Sequence, residues 1–401
     1  MTRNLPLIHD SPPEGLPVAS LPGLPLESWT PRGLYVHLPF CARRCPYCEF
    51  AVTPLRRDVE RRYLGALALE AERRIPPSWQ PATLYLGGGT PAELTSEGVS
   101  HLVEILGPLG RNAREVTLEA NPRTLLARKL GPLVAGLGVT RLSLGAQSFQ
   151  AKLLSDLGRF HRPEDVSRAA ELARGHGLAL SVDLIFAVPG QRVVDLERDL
   201  AAALALEPEH VSLYNLTFEP GTAFDVRRLA GDLVPLSEDR QAQLFDLARS
   251  TLKAAGFVHY EISNFALPGE LSLHNRLYWR NAGYLGLGNS AASHLKGQRL
   301  SNHRDVADYA GALERGELPI AEREHLDPEA KVRETAYLAL RTSEGIVPER
   351  FERDTGRDPR LFFAREFARL RELNLIQDRD GRIRLSGRGV SLADAVAREL
   401  L

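Results

Sequence analysis

The sequence predicts an α/β protein whose core is a parallel βα array, followed by a C-terminal domain of helices and a short hairpin. Two observations lead to this prediction. From Gly33 onward, six short apolar runs alternate with stretches of helical periodicity. Beyond about residue 326, the pattern changes to helices with one hairpin. Right-handed crossovers would curl the six units into an open partial barrel.

The array is built from six predicted strands and the helices between them. The strands are Leu34–His37, Thr83–Leu86, Glu115–Glu119, Arg141–Leu144, Ser181–Leu184 and His210–Leu213. The helices are Val59–Arg73, Ser96–Leu106, Leu125–Leu137, Pro163–His176 and Val193–Leu206. We expect the second helix to stop at Gly107-Pro108, since this pair ends helices. Because ligands bind at the carboxyl ends of parallel strands, we expect the chemistry at that end.

The rest of the chain divides into an arm, a connection and a second domain. Residues 1–30 are rich in proline and form the predicted N-terminal arm. The barrel, at 31–265, closes with a helix at Glu238–Ala255 and a short strand pair at Val258–Ile262. A loop-rich connecting segment at 266–325 leads to the domain at 326–401. That domain carries a hairpin at Leu375–Leu385 with Asp380-Gly381 as a type I′ turn.

Composition narrows the class of protein. The formal net charge of the 401 residues is −1, and the arginines of the C-terminal hairpin alternate with aspartates. We therefore expect no nucleic acid partner. No apolar run reaches the ~18 residues of a membrane span, and the N-terminus shows no secretory signal. Free cysteines suit a reducing cytosol. These observations favour a cytoplasmic protein.

All three cysteines lie within eight residues, directly after the first predicted strand. Cys41, Cys45 and Cys48 form the pattern C-x3-C-x2-C. Three thiolates can hold three irons of a [4Fe–4S] cluster and leave the fourth iron open to a substrate. A structural zinc site would normally use four ligands, and a disulfide framework an even number of cysteines. The pattern therefore favours a cluster.

With the preceding run Leu34-Tyr-Val-His-Leu-Pro-Phe, this pattern resembles the radical S-adenosylmethionine (SAM) superfamily. More specifically, it resembles the oxygen-independent coproporphyrinogen III oxidase branch. The resemblance implies a partial (β/α)6 radical SAM barrel with a winged-helix-like C-terminal domain. It also implies that the open iron binds SAM. An electron, supplied by a reductant protein such as a flavodoxin or ferredoxin, would then cleave SAM.

The resemblance also implies a SAM pocket at the strand ends. The run Leu86-Gly87-Gly88-Gly89-Thr90-Pro91 follows the second strand, and its carbonyl groups could accept hydrogen bonds from the SAM ammonium group. A carboxylate such as Glu119 could hold the ribose hydroxyls. Aromatic packing or buried ion pairs are the structural alternatives at these positions. The SAM residues that the resemblance implies are Tyr35, Tyr47, Gly88, Gly89, Thr90, Glu119, Gln147, Arg159 and Asp183.

Two features separate the dehydrogenase of this branch from the HemW group of heme chaperones. The dehydrogenase has a fourth cysteine where this chain has Phe50. The run His274-Asn275-Arg276-Leu277-Tyr278-Trp279 matches the H-N-x-x-Y-W signature of the HemW group, which is associated there with heme. An imidazole can ligate heme iron, and Tyr278 and Trp279 offer flat apolar area. Packing of a loop onto the barrel is the alternative role.

The resemblance thus implies a HemW-like heme chaperone that carries a [4Fe–4S] cluster and SAM. It would bind heme as cargo and deliver it to a respiratory membrane protein during transient contact at the inner membrane. The alternative is an oxygen-independent coproporphyrinogen III dehydrogenase of porphyrin biosynthesis. The sequence leaves open whether the protein is an enzyme, whether SAM is cleaved, and what the oligomeric state is, with a homodimer as one option.

Overall fold

The computed structural model describes residues 31–295 and 297–401, so the predicted arm at 1–30 lies outside the described residues. Six adjacent parallel strands form the core of a curved sheet. These strands are β1 (Gly33–Leu38), β2 (Thr83–Gly88), β3 (Glu115–Ala120), β4 (Arg141–Gln147), β5 (Ala179–Phe186) and β6 (His210–Asn215). The predicted α/β class and the six parallel core strands are confirmed.

Helices connect these strands and cover one face of the sheet. They are α1 (Arg57–Arg74), α2 (Ser96–Gly110), α3 (Ala127–Leu137), α4 (Ala151–Asp156), α5 (Pro163–Gly175) and α6 (Val193–Ala205), with a 3-10 turn at Pro91–Glu93. The predicted stop of α2 at Gly107-Pro108 is wrong, because the helix includes Pro108 and ends at Gly110. Leu106 and Leu109 are buried, and Gly136 of α3 faces Val103 at close range. This packing offsets the backbone hydrogen bond that proline removes.

The prediction of a loop-rich connection at 266–325 is also wrong. Four strands and two helices lie in this segment, and the strands extend the sheet beyond β1. The elements after β6 are α7 (Ala223–Leu229), α8 (Glu238–Ala254), β7 (Val258–Glu261), β8 (Asn264–Ala266), α9 (Leu273–Trp279), β9 (Tyr284–Leu287), β10 (Ala292–Leu295), β11 (Gln298–Asn302), α10 (Val306–Glu314) and β12 (Ile320–His325). Across the sheet, the order is β12-β11-β10-β9-β1-β2-β3-β4-β5-β6-β8-β7. Only β9 of the added strands is parallel to its core neighbour.

The C-terminal domain is helical and has its own apolar core. It comprises α11 (Pro328–Leu340), α12 (Pro348–Thr355), α13 (Pro359–Phe362), α14 (Ala364–Glu372), β13 (Ile376–Arg379), β14 (Arg382–Leu385), α15 (Gly387–Ser391) and α16 (Ala393–Leu400). The hairpin turn has positive φ at Asp380 (53°) and Gly381 (71°), as a type I′ turn requires. Arg341 attaches the domain to the barrel through a 2.7 Å ion pair with Glu261. The exact domain boundaries stay predictions.

The two faces of the core sheet differ in chemistry. On the side that faces the helices, the strands present buried residues such as Leu34, Val36 and Leu84. On the concave side, most of the alternate residues are polar. They include Tyr35, His37, Tyr85, Thr117, Glu119, Ser143, Ser181, Asp183, Ser212 and Tyr214. Parallel strands that are buried on both faces normally carry apolar residues on both faces. The polar residues found here therefore suit the barrel interior to binding a polar ligand.

Candidate functional site

The three cysteines lie on the loop that follows β1 at the carboxyl end of the barrel. Cys45 is buried, whereas Cys41 and Cys48 are half-buried, and none of the three forms a disulfide. The Cys41 N–H donates to the carbonyl of Thr53 (3.0 Å), and the Cys48 N–H to the carbonyl of Cys45 (3.1 Å). The Arg159 guanidinium lies 3.7 Å from the Cys45 sulfur. A fixed cation therefore stands beside the thiols.

The three thiols interact with one another electrostatically. Burial raises the pKa of the Cys41 thiol, and it raises that of Cys48 to about 11. Charge on neighbouring thiols adds to both pKa shifts, so the three groups lie close enough to interact. A [4Fe–4S] cluster uses one thiolate per iron, so three cysteines on one loop could each bind a different iron.

The glycine run at the end of β2 packs against the cysteine loop. The Gly89 N–H donates to the carbonyl of Leu38 (2.9 Å), and the Thr90 N–H to the carbonyl of Phe40 (2.7 Å). A Cβ on Gly89 would lie 2.7 Å from the Phe40 carbonyl oxygen. Gly88 has a φ of +100°, and the His37 imidazole fills the space that a Cβ there would need. Only glycine allows this approach at both positions.

The predicted SAM residue Glu119 lies in the barrel interior next to this glycine run. Its Oε1 accepts a hydrogen bond from the Tyr85 hydroxyl (2.7 Å), and its Oε2 accepts one from the Gly88 N–H (3.1 Å). Burial raises the pKa of Glu119, and these two bonds oppose the shift. Tyr35 stands beside Tyr85, with ring centroids 6.1 Å apart, and its hydroxyl lies 3.1 Å from His37 Nδ1. The carboxylate is thus held in a fixed orientation.

Asp183 occupies the other side of the interior, on β5. The Ser143 hydroxyl donates to its Oδ2 (2.9 Å), while Oδ1 is buried and has no partner within the described chain. The Nε of Arg159 is also buried and unpartnered there. Such orphaned polar atoms mark places where a ligand could supply the missing hydrogen bonds. Sequence reasoning missed Ser143 and Tyr85, although polar residues at every second position of a parallel strand could have revealed them.

Asp183 gives a testable pH dependence. Burial, with a smaller contribution from the Glu119 charge, raises its pKa to about 7. Between about pH 4 and pH 7, this carboxyl group is protonated in the folded state and ionised in the unfolded state. The free energy of unfolding therefore falls as the pH rises through this range. We expect Asp183→Asn to gain about 2 kcal/mol of stability relative to the wild type between pH 5 and pH 8. Urea unfolding at both pH values measures this gain.

The matched control for this prediction is Asp246→Asn, at an aspartate whose side chain is 65% exposed beside Arg249. We expect the control to leave the pH dependence of the wild type unchanged. An equal stability difference between Asp183→Asn and the wild type at pH 5 and pH 8 would contradict the assignment of a protonated Asp183.

The other predicted SAM residues lie around the same opening. Gln147 ends β4 with a φ of +66°, which is unusual for a residue with a side chain and coincides with a register shift against β5. Arg159 donates to the carbonyl of Gly145 (2.7 Å) in that bulge. Tyr47 packs against Phe224, with ring centroids 6.2 Å apart. The carboxyl end of the barrel therefore gathers the predicted cluster residues and the predicted SAM residues.

The predicted heme residues lie at the opposite end of the barrel. The Glu115 carboxylate, at the start of β3, accepts hydrogen bonds from the N–H groups of Leu273 (3.0 Å) and His274 (2.9 Å). These bonds fix α9 below the amino ends of the strands. Thr83 begins β2 and contacts His274, whereas Gly88 ends the same strand beside the cysteine loop. At the rise of a strand, this separation is about 16 Å.

His274 is fully buried, and both of its ring nitrogens have partners. Nδ1 lies 2.8 Å from the Thr83 hydroxyl, and Nε2 lies 2.8 Å from the Tyr278 hydroxyl. Burial lowers the pKa of His274 to about 3, so the imidazole is neutral. In this arrangement, heme ligation would require the ring to leave Thr83 or Tyr278.

Trp279 faces away from His274, toward the C-terminal domain. The Arg341 guanidinium stacks 4.8 Å from the Trp279 ring, and the indole N–H is buried without a partner in the described part of the chain. Trp279 lines a cleft of about 430 Å³ between α9 and the C-terminal domain. The H-N-x-x-Y-W run therefore presents two chemically different sides, one to the barrel and one to this cleft.

Comparison with known protein families finds a match for the barrel and another for the C-terminal domain. The radical SAM superfamily profile matches residues 35–203, and the HemN C-terminal domain profile matches residues 326–392. The chain is 33% identical over 371 residues to the heme chaperone HemW of Bacillus subtilis, which covers 91% of this chain and 98% of that protein. It is 35% identical over 393 residues to HemW of Mycobacterium tuberculosis, covering 95% and 97%.

A solved structure shares the architecture. It is coproporphyrinogen III oxidase (HemN) from Escherichia coli, described as a radical SAM enzyme. The TM-score is 0.80 at 23% sequence identity, over 96% of this chain and 91% of that chain. At this identity, the likeness concerns the fold.

Proposed function

Because this chain belongs to the HemW family of radical SAM proteins, we propose that it is a heme chaperone that holds a [4Fe–4S] cluster and SAM. The observation that carries the proposal is the match over 98% of the length of the Bacillus subtilis heme chaperone. The site agrees with it, since the chain's three thiols and the polar strand ends meet at one end of the barrel.

Cys41, Cys45 and Cys48 are the proposed cluster ligands. When bound, the cluster would supply one-electron chemistry at an iron that these thiolates leave open to SAM. The glycine run keeps the loop against β2, and Arg159 offsets the negative charge beside Cys45. Glu119 and Asp183 offer carboxyl oxygens in the interior, where they would hold hydroxyl or ammonium groups. The proposed SAM contacts are Tyr35, Tyr47, Gly88, Gly89, Thr90, Glu119, Gln147, Arg159 and Asp183.

Heme is the proposed cargo, with His274, Tyr278 and Trp279 as proposed contacts. Trp279 is the member of this group that lines a cleft, and its ring offers flat apolar area to a macrocycle. The proposed acceptor is a respiratory membrane protein, met transiently, and the proposed electron donor is a flavodoxin or ferredoxin. No helix in the described residues is long and apolar enough to cross a membrane.

The coproporphyrinogen III dehydrogenase alternative is not proposed. Phe50 occupies the position of the fourth cysteine of that enzyme, and its side chain is exposed at the end of the cysteine loop.

The decisive experiment is an anaerobic hemin titration of the cluster-reconstituted protein, followed by Soret absorbance. We expect saturable binding of about one heme per chain. A parallel incubation with coproporphyrinogen III, SAM and a reductant tests the alternative. Absence of saturable hemin binding would overturn the proposal, and release of carbon dioxide from coproporphyrinogen III would then favour the dehydrogenase.

His274 gives a second prediction, on stability. We expect His274→Ala to lower the free energy of unfolding by about 2–4 kcal/mol, because it opens a cavity and leaves the Thr83 and Tyr278 hydroxyls unpartnered. Chemical denaturation measures this loss. The Soret maximum of the heme complex, recorded while the variant is folded, tests ligation separately. A shifted maximum keeps His274 as an iron ligand, and an unshifted one removes that role. The control is His101→Ala, at a half-buried histidine of α2.

A further inference from the structure

We infer that the cleft between α9 and the C-terminal domain binds the carboxylate groups of the tetrapyrrole cargo. The inference rests on the proposed function and adds a ligand class to a cleft that lies outside the barrel interior. Five arginines line the cleft, against only two carboxylates, so its lining carries an excess of three positive charges. These residues are Arg276, Arg280, Arg350, Arg382, Arg384, Glu344 and Asp354.

One carboxylate, that of Glu344, pairs with three of these five arginines. Glu344 accepts two hydrogen bonds of 3.0 Å from Arg350, and it lies 3.5 Å from Arg280 and 3.8 Å from Arg382. A single negative charge cannot neutralise three guanidinium groups. Burial lowers the pKa of Arg280, and the positive charges of Arg276 and Arg350 lower it further. The cleft therefore favours an additional anion.

Two polar groups in the cleft are left without partners. The Arg276 side chain is half-exposed at the cleft and makes no hydrogen bond or ion pair in the part of the chain that the structure describes. Trp279 is only 9% exposed, and its indole N–H is buried and unpartnered there. Buried donors without acceptors are rare in folded proteins, so an acceptor from outside the chain would complete the hydrogen bonding of the Trp279 indole.

The apolar part of the lining selects among anions. Trp279, Phe351 and Ile346 are buried residues that contribute apolar surface next to the arginines. A flat apolar ring with carboxylate side chains matches both parts, because guanidinium groups bind carboxylates through paired hydrogen bonds. A cleft of about 430 Å³ lies within the range of small-molecule sites. The propionates of heme have this chemistry.

The test compares hemin with its dimethyl ester, whose propionates carry no charge. Both are titrated into the cluster-reconstituted full chain under anaerobic conditions. We expect the diester to bind at least about tenfold more weakly, the loss typical of a charge-assisted hydrogen bond. We expect Arg276→Gln/Arg280→Gln to weaken hemin binding by about tenfold or more and to leave diester binding nearly unchanged. Arg56→Gln, in an exposed pair with Asp58, is the matched control.

The outcomes separate this inference from the proposed function. Tight hemin binding that weakens on esterification and in the double arginine variant supports the carboxylate site. Equal affinities for hemin and diester overturn the carboxylate site and leave the heme chaperone proposal standing. Absence of saturable binding by either compound overturns both. Since Arg276 has no partner in the described fold, the single variant Arg276→Gln keeps the test valid if the double variant is unstable.

Discussion

Replacing Cys41, Cys45 or Cys48 by alanine is expected to remove nearly all iron from the protein. Each thiolate would bind a different iron, so no remaining ligand can take the place of a lost one, and these are the only three cysteines of the chain. The loop would keep its fold, because its backbone hydrogen bonds to Thr53 and to the glycine run do not use the thiols. The effect should therefore fall on iron content and visible absorbance rather than on the unfolding midpoint of the apo-protein.

Iron and sulfide analysis after anaerobic reconstitution measures this prediction. Ala42→Ser is the matched control, since Ala42 is exposed in the same loop and carries no thiol. We expect the control to load iron like the wild type. Full iron content in all three cysteine variants would contradict the assignment of a cysteine-bound cluster.

The residues at the carboxyl end of the barrel could be predicted from the sequence, because each lies at the end of a strand or directly after it. Each core strand is a short apolar run followed by a polar or glycine-rich loop, and parallel strands bring such ends together. Cys41 and Glu119 therefore both lie beside the glycine run of β2 although they are far apart in the chain. The polar interior is equally local, since Tyr85 and Ser143 follow the alternation of their strands.

The edge strands and the heme segment could not be predicted in this way. β10 and β11 are four or five residues long and contain Ser, His, Gln and Arg, so their apolar pattern is weak. They form because β9 pairs with β1 and offers them an edge. The position of α9 depends on Glu115, about 160 residues earlier in the chain, which caps its N-terminus. A contact between residues so far apart in the sequence produces no periodic pattern from which it could be predicted.

Two prolines inside helices show that packing can outweigh the tendency of proline to end a helix. Pro108 predicts a helix end, but α2 continues because Leu109 is buried and α3 approaches closely at Gly136. Pro132 lies inside α3 in the same way. Where two helices pack this tightly, burial of apolar surface outweighs the ~3 kcal/mol cost of an internal proline.

Gly89→Ala is expected to displace the cysteine loop although it leaves all three cysteines in place. An added Cβ would meet backbone atoms, at 2.7 Å from the Phe40 carbonyl oxygen and 2.8 Å from that of Leu38. Backbone atoms at the end of a buried strand cannot turn aside as a side chain can. The cysteine loop would therefore move away from β2, and the hydrogen bonds of Gly89 and Thr90 to it would lengthen or break.

We expect Gly89→Ala to lower the free energy of unfolding by about 1–3 kcal/mol and to reduce iron loading, because Thr90 would leave its position 3.8 Å from the Cys41 sulfur. Gly65→Ala is the matched control: Gly65 lies in α1, and a Cβ there would have no atom within 4 Å. Alanine in a helix should raise stability by about 0.5–1 kcal/mol at that position. Chemical denaturation and iron analysis of both variants compare the two effects. Normal iron content in Gly89→Ala would show that the glycine run does not hold the cysteine loop in place, and the proposed SAM contacts at Gly88 to Thr90 would lose their structural basis.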